Sequence, residues 1–187
     1  LAPENPFPAA VEDCFAYYRE LVGENPDKPI FLIGESGGAY LSITTAMKAR
    51  DEGVKMPAGI VPYSAPIEFS NRIDRNFEGN KDFTVPPEGL LQLGELYDPG
   101  QKNDQNPYCH PYLDDFHGLA PMLLAWDESE SLAVDQKLIV DKLKRQGIEV
   151  TYKSYPDCFH AFATTGRGTP ESYEVLLDTI RFFETHV

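Results

Sequence analysis

The sequence predicts an α/β protein, a mostly parallel sheet flanked by helices with one cap-like insertion, and three observations carry that expectation. Short apolar runs at residues 30–33, 59–64, 122–126 and 148–155 alternate with segments of helical periodicity. A stretch from Ile67 to Ala120, rich in Pro, Asn, Asp and aromatics, separates the second run from the third. The first run ends in Gly34-Glu35-Ser36-Gly37-Gly38, a serine among glycines where strand gives way to helix.

In order along the chain, residues 7–22 set Val11, Cys14, Phe15, Tyr18, Leu21 and Val22 at helical spacing, and Gly23 with Asn25-Pro26 ends the helix. Ile30 to Ile33 is an unbroken apolar run, which predicts a strand buried on both faces. A helix is expected over Tyr40 to Arg50, closed by Asp51-Glu52-Gly53. Residues 59–64 form a second strand weakened at its centre by Pro62. Residues 67–120 are too long for a plain connection and are expected to be a lid or pocket roof, or else to pack their aromatics into a small core of their own. Met122 to Trp126 is a third strand. Leu132 to Arg145 is an amphipathic helix with Lys142, Lys144 and Arg145 in its last turn and Gly147 beyond. A fourth strand over 148–155 follows, and Thr169-Pro170-Glu171 opens a final helix with Tyr173, Leu176, Leu177, Ile180 and Phe183 on one face.

A chain of 187 residues, 42% hydrophobic and 25% charged, is sized for one domain with a sizeable core. Its net charge of −14 speaks against nucleic acid or an anionic membrane as partner, because both require a positive footprint. No run approaches the ~18 apolar residues of a membrane span. Cys14, Cys109 and Cys158 are odd in number and widely spaced, which argues against a disulfide framework and for a reducing, cytoplasmic setting. Cys109-His110 with Asp114, Asp115 and His117 lacks a recognised ligand spacing, so neither a metal nor another cofactor is expected. The expected partners are a neutral or cationic small molecule and, at most, a second copy of the chain.

The chemistry centres on Ser36. A tight strand-to-helix turn holds such a serine in strained backbone with its hydroxyl above the sheet edge, and a Cβ at Gly34 or Gly38 is expected to collide there. A serine nucleophile needs a base and a carboxylate to orient it. His160 follows the fourth strand, at the same sheet edge as Ser36, and is the only one of four histidines to follow a strand. After the third strand, Asp127, Glu128 and Glu130 offer three carboxylates. The order Ser, acid, His differs from those of the chymotrypsin and subtilisin arrangements.

These motifs together resemble the hormone-sensitive-lipase-like branch of the α/β-hydrolases, small carboxylesterases and acetyl esterases. Leu1-Ala2-Pro3-Glu4 with Phe7-Pro8-Ala9-Ala10, the Gly34–Gly38 elbow, His110-Pro111 with Gly118-Leu119-Ala120-Pro121, and His160-Ala161-Phe162 are similar to the family's successive motifs. The resemblance implies an α/β-hydrolase fold, Ser36, Glu130 and His160 as catalytic residues, and the Gly37 amide in the oxyanion hole. Glu130 is preferred by alignment from Pro121, with Glu128 second. It also implies a short-chain ester as substrate, cleaved through an acyl-enzyme. The family's His-Gly-Gly-Gly oxyanion segment and first strands have no counterpart after Leu1, so the chain is expected to be the C-terminal part of a single hydrolase domain. Hydrolysis of an amide or formamide by the same three residues, and a non-catalytic small-molecule-binding role, are the competing functions.

Overall fold

The computed structural model describes residues 1–187. Its centre is a four-stranded parallel sheet in the order β1 (Phe31–Glu35), β2 (Gly59–Tyr63), β3 (Met122–Asp127), β4 (Val150–Tyr155). The helices are α1 (Ala9–Glu24), α2 (Gly37–Asp51), α3 (Pro87–Tyr97), α4 (Ala133–Arg145) and α5 (Pro170–Thr185). Because strand neighbours follow chain order and run parallel, every connection is a crossover and all four strands end at one edge.

Strand β3 shows why the sheet has helices on both sides. Met122, Leu124 and Trp126 face one core with Ala39, Ile43 and Met47 of α2 and Ile139 and Leu143 of α4. Leu123 and Ala125, on the alternate positions, face a second core with Val175 and Phe182 of α5. β3 and β4 pair along all six residues, whereas β2 meets β3 only at Ile60 and Met122. Ile60 donates its amide to Pro121 on that side, and Pro62, two residues on, has no amide to repeat the bond.

Strand β1 departs from the sequence expectation of burial on both faces. It lies at the edge of the sheet, its residues are half-buried at best, and Ile33 is 55% exposed. Phe31 packs on Phe182 and Phe183 of α5. Beside this edge an open groove of about 390 Å³ is lined by Tyr17, Leu21, Phe31, Ile33 and Leu41. Helix α2 also begins earlier than expected, at Gly37, so its first turn lies directly behind Ser36.

Residues 67–120 carry one helix that the sequence reading left out, α3, with Pro87 in its first turn. This segment is latched to the body rather than packed on itself alone. Arg75, buried, gives a two-pronged hydrogen-bonded ion pair to Asp135 of α4 at 2.7 and 2.8 Å and a further bond to the Glu68 carbonyl. Asp135 also accepts the Ile67 amide at 3.0 Å. Phe69 and Tyr97 stack edgewise on Tyr40 of α2, and Phe116 lies in the main core. Phe83, by contrast, is exposed. The three cysteines are unbridged. Cys109 and His110 gather with Asp98, separately from Asp114, Asp115 and His117, and Asp114 is engaged by Arg50. No helix is long and apolar enough to cross a membrane.

Candidate active site

The elbow follows from β1 running into α2 with a single residue between them. Ser36 takes that position at φ 53°, ψ −116°, a left-handed conformation that a non-glycine residue adopts only under local constraint. Its amide donates to Tyr63 O at 3.0 Å and its carbonyl accepts from Tyr40 N at 3.0 Å, so both sides of the strained residue are tied. A Cβ at Gly34 would sit 2.2 Å from the Gly38 carbonyl oxygen, which makes glycine mandatory there. At Gly38 the expected collision does not occur, because a Cβ there would meet open space. The first amides of α2, beginning with Gly37, have no acceptor within the helix and lie beside the serine.

At the same edge, β3 and β4 deliver an acid and a base. The loop after β3 buries Glu130 completely, and the loop after β4 buries His160. His160 Nδ1 donates to Glu130 Oε2 at 3.1 Å, the tautomer that leaves Nε2 free to exchange a proton. Ser64, at φ 47° just past β2, donates its hydroxyl to the same oxygen at 3.0 Å, while Glu130 Oε1 has no partner. Asp127 holds the loop carrying His160 by accepting the Cys158 amide at 3.2 Å and the Ser129 hydroxyl at 2.6 Å. Glu128, the second choice for the acid, points away: it is exposed and accepts from Ser154 at 2.7 Å.

Burial pushes the Glu130 carboxyl above its ordinary range, against the hydrogen bonds from His160 and Ser64 that favour the anion. For His160 burial acts downward, but the Glu130 hydrogen bond and charge, with Glu35 and Asp82, outweigh it and raise the imidazole above 6.5. The structure therefore brings Glu130 and His160 into direct contact. Ser36 Oγ has no hydrogen-bond partner, but its chain neighbour Glu35 reaches His160 Nε2, which fixes the elbow at the same end of the sheet.

Sequence reasoning did not find Ser64 or Glu35 as members of this cluster, and it weighed Asp127 only as a candidate acid, not as the residue that holds the His160 loop. For Ser64 a signal existed, since it follows the second strand as Ser36 follows the first.

A family model described as alpha/beta hydrolase fold matches residues 1–164. The chain is 30% identical to an acetyl-hydrolase of Streptomyces hygroscopicus over 162 residues, 86% of this chain and 54% of that protein. It is 27% identical to an esterase of Acinetobacter venetianus over 185 residues, 97% of this chain and 61% of the relative. A crystal structure of a hormone-sensitive lipase from a metagenome library superposes with a TM-score of 0.91 at 32% identity, covering 100% of this chain and 65% of that one. The chain thus spans between about half and two thirds of the length of the proteins it resembles. With its parallel sheet, strained elbow and matched sequence, the chain belongs to the alpha/beta hydrolase fold family, in the branch that resembles hormone-sensitive lipase.

Proposed function

We propose that the protein is a serine hydrolase of carboxylic esters, acting by acyl transfer from ester to Ser36 and then to water. The observation that supports this reading best is the buried Glu130–His160 hydrogen bond at the sheet edge where Ser36 is held in strained geometry. Ser36 Oγ bonds to the ester carbonyl carbon while His160 Nε2 takes its proton. Glu130 keeps the imidazole in the required tautomer and balances the imidazolium charge. The Gly37 amide, at the start of α2, donates to the oxyanion; loss of one such donor typically lowers turnover by about 100- to 1,000-fold. His160 then protonates the leaving alcohol, and in the second half it deprotonates the water that releases the acid.

A short acyl chain is the proposed preference, in keeping with the acetyl-hydrolase among the relatives. Residues 67–120, anchored to α4 and α2, are proposed as the roof of the acyl pocket. A net charge of −14 fits a neutral or cationic ester better than a polyanionic partner.

The test is a side-by-side assay of acetate, butyrate and octanoate esters and an arylformamide, with Ser36→Ala as control. Turnover falling with acyl length and absent in Ser36→Ala is expected. Faster turnover of the arylformamide would reassign the substrate to amides, and turnover surviving Ser36→Ala would remove the nucleophile.

A further inference from the structure

The serine–histidine–acid reading leaves one carboxylate at the site without a task. Glu35 immediately precedes Ser36, at the carboxyl end of β1. Its Oε1 is buried, has no hydrogen-bond partner, and lies 3.3 Å from His160 Nε2. Glu130 meets the other ring nitrogen, Nδ1, at 3.1 Å. The imidazole is therefore bracketed by two carboxylates through its two nitrogens.

The proton inventory restricts what the Glu35 contact can be. With Nδ1–H directed at Glu130, a neutral imidazole presents a lone pair at Nε2, and an ionised carboxylate presents only lone pairs. The two repel unless a proton lies on one of them. A contact at 3.3 Å is favourable when Nε2 is protonated and the ring is cationic. The charged groups facing His160 are Glu130 from the loop after β3, Glu35 from β1 and Asp82 from residues 67–120, all acidic.

We propose that Glu35 is a positioning residue of the acyl-transfer reaction: through Nε2 it stabilises the imidazolium form of His160, and so also sets how high the pH must rise before the base is free. This rests on the esterase reading above. As the serine oxygen–carbonyl carbon bond forms, the hydroxyl proton moves to Nε2 and Glu35 supports the resulting charge. As the carbonyl carbon–alcohol oxygen bond breaks, the same proton passes to the leaving oxygen. Glu35 itself neither gains nor loses a proton. The burial of Glu35 raises its own carboxyl, and the His160 charge acts the other way.

The deciding experiment follows the imidazole signal of His160 by NMR across pH in the wild-type protein, Glu35→Gln and Glu35→Asp, the signal being identified by its loss in His160→Gln. An opposite charge this close typically moves a midpoint by about 1 to 3 pH units. Glu35→Gln should lower the His160 midpoint by about one unit, and Glu35→Asp, which keeps the charge on a shorter arm, should fall between. The acid limb of the pH–kcat profile should move with it, while the plateau kcat falls and KM holds. An unchanged His160 midpoint in Glu35→Gln overturns the proposal, whatever the activity. A midpoint that moves in a protein whose wild type hydrolyses no ester supports the Glu35–His160 coupling and overturns the esterase reading instead.

Discussion

Two buried Glu–His pairs in this molecule use the same atoms to opposite ends. In each, a histidine Nδ1 meets a fully buried glutamate: His160 with Glu130 at 3.1 Å, and His110 with Glu68 at 2.5 Å. Glu68 is saturated. It accepts from Arg72 at 2.9 Å and from the Phe69 and Ser70 amides at 2.8 and 2.9 Å. Burial pushes its carboxyl up, yet the bonds from His110, Arg72 and the Ser70 amide hold it down at about 2. Glu130 has only Ser64 and His160, its second oxygen is unpartnered, and burial wins. A carboxylate surrounded by donors is a fixed anion that latches a loop. One that is buried with few donors makes its histidine's proton responsive to what happens beside it.

Replacing each glutamate by its amide should separate the two pairs. Glu130→Gln should leave the melting transition in place and lower kcat by about 10⁴-fold, the scale seen when a triad acid loses its charge. Glu68→Gln should do the reverse, leaving Arg72 and His110 without their shared anion and removing about 3 kcal/mol of stability, read from urea unfolding. A Glu68→Gln protein that keeps its stability and loses turnover would invert the assignment.

Acid unfolding sharpens the same contrast. Because the folded Glu68 pKa, about 2, lies below its ordinary 4.5, its stabilisation is complete above 4.5 and disappears as pH falls through about 2. That is ~3 kcal/mol for the full shift. The urea midpoint should decline across this window in the wild type and much less in Glu68→Gln. His160 has the opposite sign: its raised pKa contributes stability that is complete below 6.5 and is lost as pH rises through the folded value. The smallest effect belongs to Glu128→Gln, an exposed side chain bonded to Ser154, which should change stability by less than about 0.5 kcal/mol and turnover little. If Glu128→Gln lowers kcat more than Glu130→Gln, the acid is Glu128.

The strands, four of the five helices and the elbow were legible because periodicity and Gly/Pro punctuation report local structure directly. Ser36 and His160 were legible for a related reason, since each follows a strand and parallel strands end together. Glu130 was reached by resemblance alone, as spacing gives Asp127, Glu128 and Glu130 equal standing. Helix α3 was missed because Pro86-Pro87 reads as loop, although proline suits a first helical turn and Leu90 lies on its buried face. The apolar run of β1 alone predicts burial on both faces; its place at an exposed edge follows instead from the resemblance, which leaves the first strand without a sheet neighbour on one side. The role of Glu68 and the approach of Glu35 to His160 depend on segments far apart in sequence. No local pattern encodes them.

Labelling with a serine-directed phosphonate, followed by peptide mass mapping, decides whether Ser36 is the nucleophile of a site completed by His160 and Glu130. One adduct is expected, on Ser36, absent in Ser36→Ala and strongly slowed in His160→Gln. An adduct on Ser64 or Ser42, or labelling of Ser36 at an unchanged rate without His160, would contradict it.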